Sequence, residues 1–215
     1  MSVGGLLRSR ALDEIGVEHG FGTLRSVPIT PTDVVFAKQV HGATLVRAEP
    51  GSGRVEADAL WTDRPGTAVG VVTADCVPIL IAHESGRFVC AVHAGWRGSA
   101  ARIAARSVQA LVEEARCTAA ELRAAIGPHI GPCCYEVDGP VLEAIPDPGV
   151  YRPSPRPGRA HLDLFALNRL QLEGAGIPER QIERVGGCTA CEPDLYPSYR
   201  RDRGSGRLLH FVRAR

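Results

Sequence analysis

Thr67 to Ala74 is an almost unbroken apolar, largely β-branched run. A strand of that composition belongs between layers packed on both of its faces. It ends at Asp75 and Cys76. After Pro78 a second apolar run, Ile79 to Ala82, leads through Glu84-Ser85-Gly86-Arg87 into Phe88 to His93. This spacing predicts a hairpin. In its second arm Val89, Ala91 and His93 share one face and Cys90 takes the other, so Cys90 is a poor partner for His93.

The flanking segments alternate between strand and helix patterns. Val34 to His41 reads as a strand with Val35, Ala37, Gln39 and His41 on one face, closing on a turn at Gly42; Thr44 to Arg47 reads as another strand. Ser99 is expected to cap a helix carrying Ile103, Val108, Leu111, Val112 and Ala115. Thr118 and Glu121 form a capping-box pattern, and Ala124 to Ile126 returns as a strand. Asp138 and Pro140 open another helix. Five prolines between Pro146 and Pro157 predict an irregular surface segment. Asp163 to Glu173 is helical, with Leu164, Leu167 and Leu170 on one stripe. Ile182 to Val185 and Leu208 to Val212 complete the strands. The expectation is one α/β domain over residues 1–215 with mixed strand directions.

Composition narrows the function. With 215 residues and 44% of them hydrophobic, the chain can bury a sizeable core, and its formal net charge of +1 gives no global field toward nucleic acid or membrane. No apolar run is long enough to span a bilayer, and the N-terminus shows no signal peptide. Seven cysteines, an odd number without a regular framework, suit a reduced cytoplasmic setting. Lys38 is the only lysine among 25 basic residues, so oxyanion binding falls to arginine, which grips planar anions bidentately.

Three soft ligands sit near predicted strand ends: His41, Cys76 and His93. Taken singly, His41 reads as a surface turn residue and Cys76 as a buried thiol. Together, two imidazoles and a thiolate fill three corners of a zinc tetrahedron, and an open fourth corner distinguishes a catalytic zinc from a structural one. Asp58 is a candidate to orient a metal-bound histidine, and Asp75 a candidate for proton transfer or substrate contact. Gln39 suits a base edge or ribose. Arg97, Arg200 and Arg201 are candidates for an anion, which needs two or more charge-assisted donors, and Tyr199 suits stacking. Cys188-x-x-Cys191 has a redox or zinc spacing with no second Cys-x-x-Cys to complete it. Adjacent Cys133 and Cys134 are awkward as ligands of one ion. The other histidines show no ligand spacing.

Lys38-Gln39-Val40-His41-Gly42, Ala57-Asp58-Ala59-Leu60, Thr73-Ala74-Asp75-Cys76-Val77-Pro78, Val92-His93-Ala94-Gly95-Trp96-Arg97-Gly98, Ile126-Gly127-Pro128, Cys133-Cys134-Tyr135-Glu136-Val137, and Cys188-Thr189 followed by Tyr199-Arg200-Arg201-Asp202 occur in that order. Together they resemble the YfiH/YlmD family, also called multicopper polyphenol oxidases, laccase-domain proteins or peptidoglycan editing factors, and described as zinc-dependent purine nucleoside phosphorylases with adenosine deaminase activity. The resemblance implies an α-β-β-α sandwich and zinc on His41, Cys76 and His93. It also implies phosphorolysis of adenosine, inosine, guanosine or methylthioadenosine, with nucleoside and phosphate as small-molecule partners.

Two other chemistries are open to the same residues. Cys76 with His93 as base would make a thiol amidase editing cell-wall precursors. A His₂Cys site also accepts Cu²⁺, although none of the seven histidines forms the His-x-His pair on which multicopper oxidases rely. A homodimer is a further expectation for a small enzyme of this type. The preferred nucleoside is not written in the residues.

Overall fold

Alternation divides the central strands between two cores. Val77, Ile79, Ile81, Cys90, Val92 and Ala94 face one core, and Leu80, Ala82, Val89 and Ala91 face the other. Both strands are therefore apolar on both faces. The computed structural model describes every residue except 1, 4, 27–32, 50, 52–54 and 205, and for Ser2 and Val3 the backbone alone.

Strands Val77–His83 and Val89–Ala94 form the expected antiparallel hairpin, with Gly86 supplying the left-handed turn at φ 71°. They lie at the centre of a six-stranded sheet ordered Ile182–Arg184, Leu122–Ile126, Val77–His83, Val89–Ala94, Ala59–Thr62 and Leu45–Arg47. Pro78 is tolerated because the ladder to Leu122–Ile126 begins one residue later, at Ile79 opposite Ile126. A second six-stranded sheet runs Ser2–Val3, Leu6–Leu7, His19–Phe21, Leu208–Arg213, Ala68–Thr73 and Val34–Phe36. Val69, Val71, Phe21 and Val212 of this sheet meet Leu60, Leu80, Val89 and Ala91 of the first. The other face of the first sheet is covered by helices Ile103–Ala115 and Leu164–Gly174, through Ile103, Val108, Leu111, Leu164 and Leu172. The result is the mixed α/β sandwich implied by the resemblance. No described helix is long and apolar enough to cross a membrane.

Several local expectations are corrected. The strand from Val34 stops at Phe36, and Lys38 makes only an isolated bridge to Glu56. Ser99 is no cap. It is buried inside helix Trp96–Ala100, where its carbonyl accepts from Gln171 and its hydroxyl from Asn168. Arg102, left-handed at φ 60°, separates that helix from the next. Leu170 is exposed; Asn168 and Gln171 take its place on the buried stripe because Ser99 offers them hydrogen-bond partners. The proline-rich segment is partly ordered as Tyr151–Pro153, antiparallel to Ala160–Leu162. The capping box at Thr118 and Glu121 forms as read.

The sandwich is sewn together at one end. There the chain leaves Phe36 and Thr73 of one sheet and enters Leu45 and Val77 of the other. Ala94 leaves its strand there, Ile126 ends there, and Leu208 begins there. Residues 37–44, 74–76, 95–97, 127–135, 199–204 and 206–207 therefore share one rim.

Three histidines are buried as neutral imidazoles. His19 accepts from the Ser9 N–H and lies 2.8 Å from the Val17 carbonyl. His210 accepts from Gly22 and pairs with the Thr73 hydroxyl. His129 pairs with the Gly127 carbonyl and stacks on Phe165. Burial pushes His129 down to about 4 and His210 to about 3, and lowers His19. Below about pH 6.5 the unfolded chain takes up protons that the folded chain refuses, so stability rises with pH across this window. The expected outcome is a urea midpoint, measured with chelator present throughout, that climbs as pH rises from about 4 to about 6.5. A midpoint unchanged across that range would contradict neutral burial of these rings.

Candidate metal centre and active-site cleft

The rim gathers His41, Cys76 and His93 so that one ligand atom of each lies within 4.8 Å of the others. The two imidazoles meet edge to face, with centroids 4.9 Å apart. Two of the three are delivered through unusual backbone. His41 itself is left-handed (φ 61°), so it, and not Gly42, makes the turn. Asp75, just before Cys76, is left-handed at φ 83°. Left-handed non-glycine residues are strained and tend to mark functional sites. His93 comes from a regular strand, and the missing side chain of Gly95 leaves room for the Cys76 sulfur; a Cβ there would stand 3.0 Å from it.

Asp58 holds the group together. Its fully buried carboxylate accepts from His93 Nδ1 at 2.8 Å and from the backbone N–H groups of His41 at 2.9 Å, Gly42 at 2.7 Å and Val40 at 3.3 Å. The bond to Nδ1 fixes the tautomer and leaves Nε2 as the free ligand nitrogen of His93. Burial pushes the Asp58 carboxyl up, but the hydrogen bonds from His93, Gly42 and His41 outweigh it and hold the carboxyl below its usual range. Burial likewise pushes His93 down, and its contacts with Asp58 and Cys76 reverse the direction, to about 9. Cys76, pushed up by burial, is pulled down to about 7 by the two histidines. Two nitrogens and an ionisable thiol at this spacing fit a tetrahedral cation with one position open.

The three ligands lie in a cleft of about 750 Å³ also bordered by Lys38, Gln39, Asp75, Trp96, Arg97, Tyr135, Tyr199, Arg200, Arg203 and Arg207. That volume is in the range of small-molecule sites. The predicted residues divide by what else they hold. Arg97 is exposed, stacks on Trp96 at 4.3 Å, and forms no ion pair among the described residues. Tyr199 is half exposed. Arg200 lies over the Tyr135 ring and gives one guanidinium N–H to the Glu136 carbonyl. Gln39 has both amide groups on the backbone of Val72, at 2.8 Å each, and so acts as an extension of the sheet edge instead of offering its amide to a base. Arg201 lies outside the cleft lining: its guanidinium binds the carbonyls of Thr189, Ala190 and Tyr196 and the carboxylate of Asp202. Asp75 borders the cleft, but its oxygens accept from the Thr189 hydroxyl and the Arg200 N–H at 2.6 Å each, so it braces the wall.

Tyr135, Arg203 and Arg207 were not singled out by the sequence reading. The only sequence signal for Tyr135 was its place in the Cys-Cys-Tyr-Glu-Val motif. Elsewhere, His83, Cys117 and Glu121 converge at the opposite end of the sandwich, where Glu121 is engaged by the Thr118 cap.

A family model described as "Multi-copper polyphenol oxidoreductase laccase" matches residues 15–215. The chain belongs to this family. Among other members, "Purine nucleoside phosphorylase YlmD" of Geobacillus stearothermophilus is 38% identical over 194 residues, spanning 83% of this chain and 71% of the relative. "Purine nucleoside phosphorylase YfiH" of Escherichia coli is 35% identical over 187 residues, spanning 85% and 74%. The crystal structure of YlmD from Geobacillus stearothermophilus superposes with a TM-score of 0.89 at 31% identity, covering 100% of this chain and 98% of that one. That of the Bacillus licheniformis hypothetical protein YfiH gives 0.89 at 30%, with the same coverage. This laccase-like family thus includes proteins named for nucleoside chemistry, and the fold is shared over its whole length.

Asp58→Asn removes the charge behind His93. Zinc binding at this centre is expected to weaken by about 10–100-fold. Calorimetric titration of chelator-stripped chain reads this on the binding transition that Cys76→Ser abolishes. Unchanged affinity would deny Asp58 its orienting role.

Proposed function

We propose that this chain is a zinc-dependent purine nucleoside phosphorylase that also deaminates adenosine. The observation that carries the proposal is a His₂Cys centre with room for a fourth ligand, set in a cleft whose cationic side chains outnumber its acids. The names of the relatives support the nucleoside and phosphate as substrates.

His41, Cys76 and His93 would hold the ion. When bound, zinc supplies a Lewis acid able to polarise a substrate atom or lower the pKa of a water. The chain's own groups supply binding and orientation. Arg97, Arg203 and Arg207 rim the cleft beside Arg200 and can present several charge-assisted donors to phosphate. Tyr199 and Tyr135 offer aromatic faces for the purine. In phosphorolysis a phosphate oxygen bonds to the ribose C1′ as the glycosidic bond breaks. The departing purine keeps the electron pair and takes a proton, giving free base and ribose 1-phosphate. Tyr135, pushed up to about 12 by burial and by the nearby Cys76, stays a neutral phenol at neutral pH and can donate a hydrogen bond to a ligand in the cleft. In deamination water adds at the purine carbon bearing the amino group, and ammonia leaves with a proton. The cytoplasm suits a chain whose described cysteines are all free thiols.

One observation favours a second reading. Cys76, His93 and Asp58 line up as nucleophile, base and orienting carboxylate, the arrangement of a thiol hydrolase. His41 argues against it, because it also faces the Cys76 thiol, where a triad has no use for a second imidazole. The copper oxidase reading draws only on the family description and on the tolerance of copper for such ligands.

Purified chain is expected to release base from inosine only with phosphate present, and ammonia from adenosine without it. Both should be lost in His93→Ala and on chelation, and Zn²⁺ should restore both to the chelated wild-type chain but not to His93→Ala. Arg97→Ala should raise the KM for phosphate by about 10-fold, a loss on the scale of one charge-assisted hydrogen bond. Amide hydrolysis that survives chelation would replace this reading with the thiol hydrolase. Phenol oxidation that requires Cu²⁺, with no nucleoside turnover, would replace it with the oxidase.

A further inference from the structure

A second set of soft ligands converges about the wall of the cleft. Cys133 and Cys134 come from the turn after Ile130, and Cys188 and Cys191 from the turn after Val185. All four sulfurs lie within 4.8 Å of one another, and Cys191 is 3.4 Å from both Cys133 and Cys134. Adjacency does not keep Cys133 and Cys134 apart, because they lie in a turn, where neighbouring side chains are not sent to opposite faces as they are in a strand.

We propose that Cys133, Cys134, Cys188 and Cys191 form a closed tetrathiolate site for a zinc-class divalent cation, separate from the His41, Cys76 and His93 centre. Zinc–sulfur bonds of about 2.3 Å give a tetrahedron with sulfur–sulfur edges of about 3.8 Å. The two spacings of 3.4 Å lie just below that value, the other pairs all fall within 4.8 Å, and this leaves too little room for an iron–sulfur cluster. Cys191 stands equally close to two thiols, which fits a shared ion better than a unique disulfide partner. The cradle around Cys188 is also that of a ligand. The Gly131 N–H donates to its sulfur at 3.1 Å, and the N–H groups of Ala190 and Cys191 face it as well. Gly131 leaves the sulfurs uncrowded: a Cβ there would lie 3.3 Å from the Cys133 sulfur, tighter than an ordinary contact. Tetrahedral S₄ donor sets select zinc over harder cations.

The site would clamp two walls of the cleft. Tyr135, next to Cys134, lines the cleft, and Thr189, next to Cys188, donates to Asp75. All four corners are filled by protein, so the ion has a bracing role. On binding, the thiols release their protons to water and no bond between sulfurs forms.

The test starts from unmutated chain purified anaerobically without chelator. Two equivalents of zinc per chain are expected. Cys133 and Cys191 are exposed, yet they should resist iodoacetamide until a strong chelator is added and should then react, as mapped by peptide mass. In a Cys76→Ser background, Co²⁺ should produce thiolate-to-metal charge-transfer absorption saturating at one equivalent, and Cys188→Ser in that background should remove it. The wild-type arm stands even if the double variant fails to fold. A single zinc equivalent, with Cys133 and Cys191 alkylated at once in the absence of chelator, would overturn the proposal. So would a disulfide from Cys191 to Cys133 or Cys134 in the anaerobic sample.

Discussion

A single buried carboxylate holds the site together. Asp58 sits at the start of strand Ala59–Thr62, where its backbone joins two neighbours: its N–H donates to Thr44 and its carbonyl accepts from His93. Its side chain then collects three successive backbone N–H groups from residues 40–42 and the His93 ring. A buried charge is tolerated only when its lone pairs are matched, and here they are. The turn at His41 closes around an anion, so its left-handed strain is offset by bonds that only this conformation provides. Each buried donor left unmatched would cost about 1–3 kcal/mol, somewhat less for those of the partly buried His41 turn. One residue therefore sets the entry of the first ligand and the tautomer of the third.

Asp75 plays the corresponding part on the other wall. It precedes the second ligand, and its carboxylate ties together segments more than a hundred residues away in sequence, through Thr189 and the N–H of Arg200. Strand Ala59–Thr62 behind Asp58 is buried throughout and Ala68–Thr73 behind Asp75 is buried except at Val72, so the two carboxylates hold the turns that carry His41 and Cys76 against rigid sheet edges. Precise metal geometry requires that arrangement.

Local sequence specifies the structure wherever one physical rule acts alone. Burial of Thr67 to Ala74 everywhere but at Val72 and its two ends, the Ser85-Gly86 hairpin, the Thr118 capping box and the opposite facing of Cys90 and His93 all follow from local periodicity or turn chemistry. The convergence of His41, Cys76 and His93 is legible because two imidazoles and a thiol near strand ends are a rare combination. Failures arose where a distant backbone group decided the outcome. Gln39 has the chemistry of a substrate contact, but its amide is drawn to Val72; Arg201 has that of an anion donor, but four carbonyl and carboxylate partners surround it. No local pattern encodes those acceptors. Ser99 looked like a cap because Arg102, a residue with no special preference for the left-handed region, makes the actual break. The four cysteines were undervalued because their spacing in sequence gives no hint that the two turns abut. That meeting depends on the bridge between His129 and Cys188 and on the Thr189 N–H to His129 carbonyl bond.

The two clusters of soft ligands differ in one respect that assigns their roles. At His41, Cys76 and His93 the protein supplies three donors and a cleft. At the cysteine turns it supplies four donors, enough to close a tetrahedron without an outside ligand. A cation in the first site lacks a ligand and must take it from solvent or substrate; one in the second lacks nothing. The division of the arginines follows the same logic. Arg201 is saturated by carbonyls and holds the cysteine turn in place, whereas Arg97 and its neighbours on the rim keep donors free. Unmet coordination and unmet charge thus lie together in one cleft, as a reaction between a neutral nucleoside and a phosphate anion requires.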